Sequence, residues 1–126
     1  MARIDTGLVI LLGVENDDDD KKADFLAKKI ANLRIFNDEN GKMNLSVKDI
    51  KGSTIVVSQF TLMADTRKGN RPSFIKAAPP EKASPLIDYF IRSLKSQGIE
   101  TGSGEFGAEM LVKIHNDGPV TILIDV

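Results

Sequence analysis

Two short segments of this chain hold the residue types best suited to chemistry. One is Ser58-Gln59-Phe60-Thr61-Leu62, where hydroxyl and amide side chains close an apolar run. The other is Asn116-Asp117-Gly118-Pro119-Val120-Thr121, where a Gly-Pro pair stands among polar side chains at the mouth of Ile122-Leu123-Ile124. Proline offers no backbone N–H, and glycine leaves the main chain open to whatever docks on it. The second segment therefore fits a recognition corner built from backbone, or else a plain turn feeding an edge strand. Ser58 and Thr61 fit strand-end capping as well as they fit a site, and Thr121 fits an ordinary β-branched strand position.

Other chemistries are closed off by composition. There is no cysteine, which removes thiol catalysis, disulfides and thiolate metal sites together. The single histidine, His115, cannot assemble a zinc site, and it is expected on a strand face opposite Val112 and Ile114. The acids Asp17 to Asp20 lack the spacing, central glycine and closing glutamate of a calcium loop, and instead suit the start of the helix that follows. No metal and no cofactor is expected. A net charge of −1 speaks against holding nucleic acid, DNA included, through bulk electrostatics, though a local basic patch remains open. No long apolar run or leader-like start is present, so a cytoplasmic protein without membrane contact is expected.

The elements that must position these segments follow from hydrophobic pattern. At 126 residues the chain is expected to form one domain, 1–126, able to bury a core unaided. Gly7 to Val14 and Ser53 to Phe60 read as buried strands. Lys21 to Leu33 reads as an amphipathic helix with Ala23, Leu26, Ile30 and Leu33 inward. Arg34 to Phe36 and Lys42 to Leu45 read as short strands joined by an Asn40-Gly41 type I′ turn. A second helix is expected to start between Glu81 and Pro85 and to stop at Gly98, with Leu86, Phe90, Ile91 and Leu94 on its core face. Met110–Ile114 and Val120–Ile124 read as closing strands. Between Asp65 and Pro80 lies a long basic loop with Arg67, Lys68, Arg71 and Lys76, whose Phe74 serves as anchor or stacking surface. The sum is an α+β fold with a mostly antiparallel, barrel-like sheet and two main helices.

Three segments together carry a family resemblance: Ser58 to Leu62, Ala64-Asp65-Thr66-Arg67-Lys68-Gly69-Asn70-Arg71-Pro72-Ser73-Phe74, and Asn116 to Thr121. With Gly7 to Val14, Asn32 to Phe36, Gly41 to Leu45 and Ala77 to Pro80 in the same order, the whole chain resembles the D-aminoacyl-tRNA deacylases (the D-tyrosyl-tRNA deacylase family). The resemblance implies that family's fold and a homodimer. It also implies hydrolysis of the ester joining a D-amino acid, or glycine, to the 3′-terminal ribose of tRNA, as chiral proofreading. Gly118 and Pro119 would form a cis pair inserted across the dimer interface, excluding the L-enantiomer from the partner's site, with Asn116 and Thr121 beside them. Ser58, Gln59 and the amide of Phe60 would hold the scissile corner. Thr61 has been regarded as a nucleophile in such enzymes, but no neighbouring base would activate it, so the tRNA's own 2′-hydroxyl is the expected assistant. Met43 and Phe74 would line the adenosine pocket, or else be core. Arg67, Lys68 and Arg71 would meet tRNA phosphates, or else be merely solvated.

Family members begin with a further strand and hairpin, whereas Met1-Ala2-Arg3-Ile4 leads here almost directly onto the return strand. An exposed sheet edge is expected in consequence. The alternative function is then a catalytically weak or inactive tRNA-binding module.

Overall fold

The computed structural model describes residues 1–126. The chain runs β1 (Gly7–Leu12), α1 (Asp20–Asn32), β2 (Phe36–Asn37), β3 (Met43–Leu45), β4 (Ser53–Ser58), α2 (Pro80–Ser96) and β5 (Thr101–Ser103), with a 3-10 turn at Phe60–Met63. The central sheet has the order β1-β4-β5, and both of its pairings are parallel. Only the short β2–β3 pair is antiparallel. The expectation of a mostly antiparallel, barrel-like sheet is therefore corrected to an α+β fold around a three-stranded parallel sheet. The physical reason is connectivity: helical crossovers return the chain to the same end of the sheet before β4 and again before β5, as parallel neighbours require. The continuous apolar run of β1 also suits a parallel strand better than strict alternation would.

Ile10 and Leu12 of β1 and Val56 of β4 point to one face and join a cluster with both helices. Ala23, Ala27 and Ala31 of α1 let it lie close against Ala83, Ile87, Phe90 and Leu94 of α2. Asp24 ties the two helices at their rim, accepting hydrogen bonds from Tyr89 Oη at 2.8 Å and Ser93 Oγ at 3.0 Å. The acidic run caps α1 as expected: Asp19 is the N-cap and accepts from Lys22 N at 3.0 Å. Helix α2 starts at Pro80, earlier than expected, because proline at the first helical position gives up no needed hydrogen bond. Buried between β4 and β5, Thr54 Oγ1 donates to Thr101 Oγ1 at 2.9 Å, and Thr101 Oγ1 donates to Ile99 O at 3.1 Å.

Two further expectations are corrected. The β2–β3 connection is not a type I′ turn, since only Gly41, at φ +74°, is left-handed there. Asp38 organises a longer loop, its Oδ1 accepting from Asn40 N and Lys42 N at 2.9 and 3.0 Å. The Lys42 hydrogen bond above all holds that carboxyl below its ordinary range. The expected closing strands at 110–114 and 120–124 do not form: residues 104–126 contain no helix or strand, and His115 sits in irregular chain. Leu111 and Leu123 are 84% and 87% exposed. Alternating apolar residues supply a strand's face, but a strand also needs a neighbour for its N–H and C=O groups.

Candidate functional site

The parallel pairing brings the carboxyl ends of β1 and β4 side by side, Leu12 opposite Ser58. That rim is where sites gather in parallel sheets, because loops leave it together. Ser58 ends β4 half-buried, and Gln59 N donates to Leu12 O at 2.8 Å, carrying the ladder one residue past the strand. The chain then tightens into the Phe60–Met63 turn. Gln59 Nε2 donates to Thr61 Oγ1, so the threonine oxygen serves as an acceptor for an amide. Beside Ser58 a small cleft is lined by Ile87, Ile91, Phe106 and Met110. A surface cleft of about 640 Å³ lies between the starts of α1 and α2 and contains none of the candidate residues. The placed hydroxyl and amide groups stand at the rim and not in that cleft, and chemistry follows from placed donors and not from volume.

The basic loop is more ordered than its composition suggests. Asp65 and Ser73 exchange both backbone hydrogen bonds, Asp65 N to Ser73 O at 2.7 Å and Ser73 N to Asp65 O at 2.9 Å. The Asp65 carboxylate takes Arg67 in a fork, Nε to Oδ1 at 2.9 Å and Nη2 to Oδ2 at 2.7 Å, and also accepts from Arg67 N at 3.0 Å. The Arg67 side chain is the main reason that this carboxyl is held far below the usual range. Past Ser73, the Phe74 ring meets Phe60 edge-on with centroids 5.1 Å apart, linking the loop's return limb to the rim.

Residues 116–121 form a separate, self-braced corner. Asn116 reaches across it, Oδ1 accepting from Val120 N and Nδ2 donating to Thr121 Oγ1, both at 2.9 Å. Gly118–Pro119 at its apex is cis and exposed. Gly118 has φ +123°, and an added Cβ would lie 2.9 Å from Val120 Cγ2.

The structure thus brings together Ser58, Gln59, Phe60, Thr61 and Phe74, with Arg67, Lys68 and Arg71 on the loop that springs from them. It groups Asn116, Gly118, Pro119 and Thr121 in a second cluster that makes no hydrogen bond to the first. Met43 stands on β3, 53% exposed and therefore not core. Residue type and spacing alone do not mark Asp65 as a site residue. The available signal was an acid two residues before an arginine in a glycine- and proline-containing loop, which favours a local turn.

The family model for D-Tyr-tRNA(Tyr) deacylase matches residues 1–125. The chain belongs to this deacylase family. A D-aminoacyl-tRNA deacylase of Dehalococcoides mccartyi (strain ATCC BAA-2100 / JCM 16839 / KCTC 5957 / BAV1) is 54% identical over 125 residues, 99% of this chain and 82% of the relative. One of Thermosipho africanus (strain TCF52B) is 52% identical over 125 residues, 99% of this chain and 84% of its own. Among solved structures, a c-Myc DNA Unwinding Element Binding Protein superposes with TM-score 0.88 at 41% identity, covering 94% of this chain and 81% of that one. The D-aminoacyl-tRNA deacylases are hydrolases that free D-amino acids from tRNA, a proofreading task in translation. No helix of this deacylase-family chain is long and apolar enough to cross a membrane.

Proposed function

We propose that this chain, as a single domain spanning 1–126, hydrolyses the ester between a D-amino acid, or glycine, and the 3′-terminal ribose of tRNA. Water attacks the carbonyl, the C–O bond to the ribose breaks, and the proton passes to the leaving ribose oxygen with help from the adjacent 2′-hydroxyl. Ser58, Gln59 and the Phe60 amide hold the reacting carbonyl and stabilise its developing negative charge. Thr61 positions and does not attack, since its oxygen is occupied as an acceptor for Gln59. The family match over 1–125 carries this reading. Relatives at 52–54% identity bear the deacylase name, which favours turnover over the binding-only alternative.

Gly118 and Pro119 serve as a main-chain filter against L-amino acids, steadied by Asn116 and Thr121. The exposed apolar residues of the same arm, Leu111, Ile114, Ile122 and Leu123, support a homodimer in which that corner enters the partner's site. Phe74, with Met43, receives the terminal adenosine. The partner is the 3′ end of cytoplasmic aminoacyl-tRNA and not DNA or a membrane.

The test is hydrolysis of matched D- and L-aminoacyl-tRNA. Release of the D-amino acid with the L ester left intact is expected. Equal rates, or no release from the D ester, would overturn the reading.

A further inference from the structure

Of the four charged residues between Asp65 and Ser73, two cancel each other. The Asp65 carboxylate takes three N–H donors from Arg67, including both arms of the guanidinium fork. Lys68 and Arg71 have no ion-pair partner and are exposed. Between them Gly69 takes φ +85°, a backbone shape that glycine adopts without strain, so the tip can fold back sharply. The neck below is closed by the paired Asp65–Ser73 hydrogen bonds. Its outgoing limb leaves the Phe60–Met63 turn directly. Its returning limb is fixed twice, through the Phe74–Phe60 contact and through Asn16 N to Lys76 O at 3.1 Å and Ala78 N to Val14 O at 2.9 Å. The tip's offset from Ser58 and Gln59 is thereby set by hydrogen bonds and not by a free linker.

We propose that loop 65–73 is a pre-folded clamp for the sugar–phosphate backbone of the tRNA acceptor end, in which Lys68 and Arg71 make the contacts and the Asp65–Arg67 pair is an internal brace. This rests on the reading that the chain acts on tRNA, and it divides the basic residues by role. Arg67 already has its fork filled by a carboxylate and is a positioning residue. Asp65, although negative, promotes the binding of a polyanion because it sets where the two free cations stand. A preordered clamp loses little conformational freedom on binding, which is why its brace is worth more than one added positive charge.

The sign of one substitution separates this from bulk attraction. Asp65→Asn makes the protein more positive, so simple electrostatics would tighten tRNA binding, whereas loss of the brace weakens it. Binding of fluorescently labelled uncharged tRNA should be followed across a KCl series, alongside KM and kcat for a D-aminoacyl-tRNA. We expect Asp65→Asn to raise Kd and KM about fivefold with kcat within twofold, and Asp65→Glu to recover most of the loss. Lys68→Ala with Arg71→Ala should lower the slope of log Kd against log salt by roughly 1.5, the release expected from two lost phosphate contacts. Thermal melting should stay unchanged for Lys68→Ala with Arg71→Ala, as the loop lies outside the core, and fall only slightly for Asp65→Asn, which loses one exposed pair. Tighter tRNA binding by Asp65→Asn, or an unchanged salt slope in the double variant, would overturn the clamp. Displacement of the tRNA by submillimolar inorganic phosphate at constant ionic strength would overturn it too, by revealing a free-phosphate pocket. Wild-type protein that binds tRNA in this Lys68- and Arg71-dependent way yet releases no D-amino acid would uphold the clamp and defeat the deacylase reading instead.

Discussion

The stretch from Ser58 to Phe74 and the arm from Gly104 to Val126 each carry half of the proposed site, and they are held in opposite ways. The first continues the sheet: Gln59 extends the ladder to Leu12, the Asp65–Ser73 pair closes a loop, and Phe74 returns onto Phe60. The second touches the fold at few points, Gly104 N to Val56 O at 3.4 Å and Ile124 against the core, and its corner is braced by Asn116 across Val120 and Thr121, while Leu111 and Leu123 face outward. A site assembled this way divides the work. One half is rigid because the fold makes it so. The other has a corner held in shape by its own hydrogen bonds, with exposed apolar residues beside it.

Gly118→Ala is the strongest test of that contrast. The left-handed φ of +123° and the approach to Val120 penalise a methyl group by an amount on the order of 1–3 kcal/mol. We expect kcat/KM for the D ester to fall more than tenfold, with a melting temperature lowered by no more than the several degrees that this penalty implies. Full activity with full selectivity would remove Gly118 from the site. Asn116→Ala comes next: it deletes two hydrogen bonds worth about 1 kcal/mol each, so a fall of about five- to tenfold with measurable leakage on the L ester is expected. Asn116→Asp, which keeps the acceptor for Val120 N but loses the donor to Thr121, should fall between the two; a variant indistinguishable from wild type would show that the brace is unnecessary.

Acid probes the other region. The Asp65 carboxyl is depressed by Arg67, Asp49 by the Ser46 amide and Asp38 by the Lys42 amide. Depressed folded values mean that the stabilisation is complete above the unfolded carboxylate value, about 3.9, and is lost as pH falls through the folded values. Melting temperature should therefore be flat from about pH 5 upward and decline below about pH 4; a rise on acidification would contradict these contacts. The smallest effect is expected from Thr61→Val, less than about threefold in kcat, because its oxygen only accepts from Gln59. A hundredfold loss would make Thr61 a nucleophile after all.

Much of this was legible in residue patterns. The apolar runs at Gly7 and Ser53 and the three- and four-residue spacings of the two helices mark elements that form because they bury one face. Strand direction was hidden, since a parallel pair depends on where the crossovers deliver the chain. Thr101-Gly102-Ser103 concealed β5, being too short and too polar for any periodicity. Val112 and Ile122 carry strand-like alternation without ladder partners, so their pattern overstated local order. The chemistry-bearing residues were visible by type and order. The sequestration of Arg67 by Asp65 was not, because a charge count cannot tell a cancelled cation from a free one.

The buried threonine pair has one more consequence. Thr54, fully buried, loses the acceptor for its hydroxyl unless Thr101 faces it, and an unpaired hydroxyl at that depth is costly. The turn between α2 and β5 is therefore fixed in count as well as at Gly98, which takes φ +83°, and at the buried Ile99, since one insertion there would throw β5 out of phase. Descendants of this chain can vary the exposed Glu100 of that turn but not Gly98 or Ile99. They must keep its length, because the arm bearing Gly118 is measured out from that fixed origin.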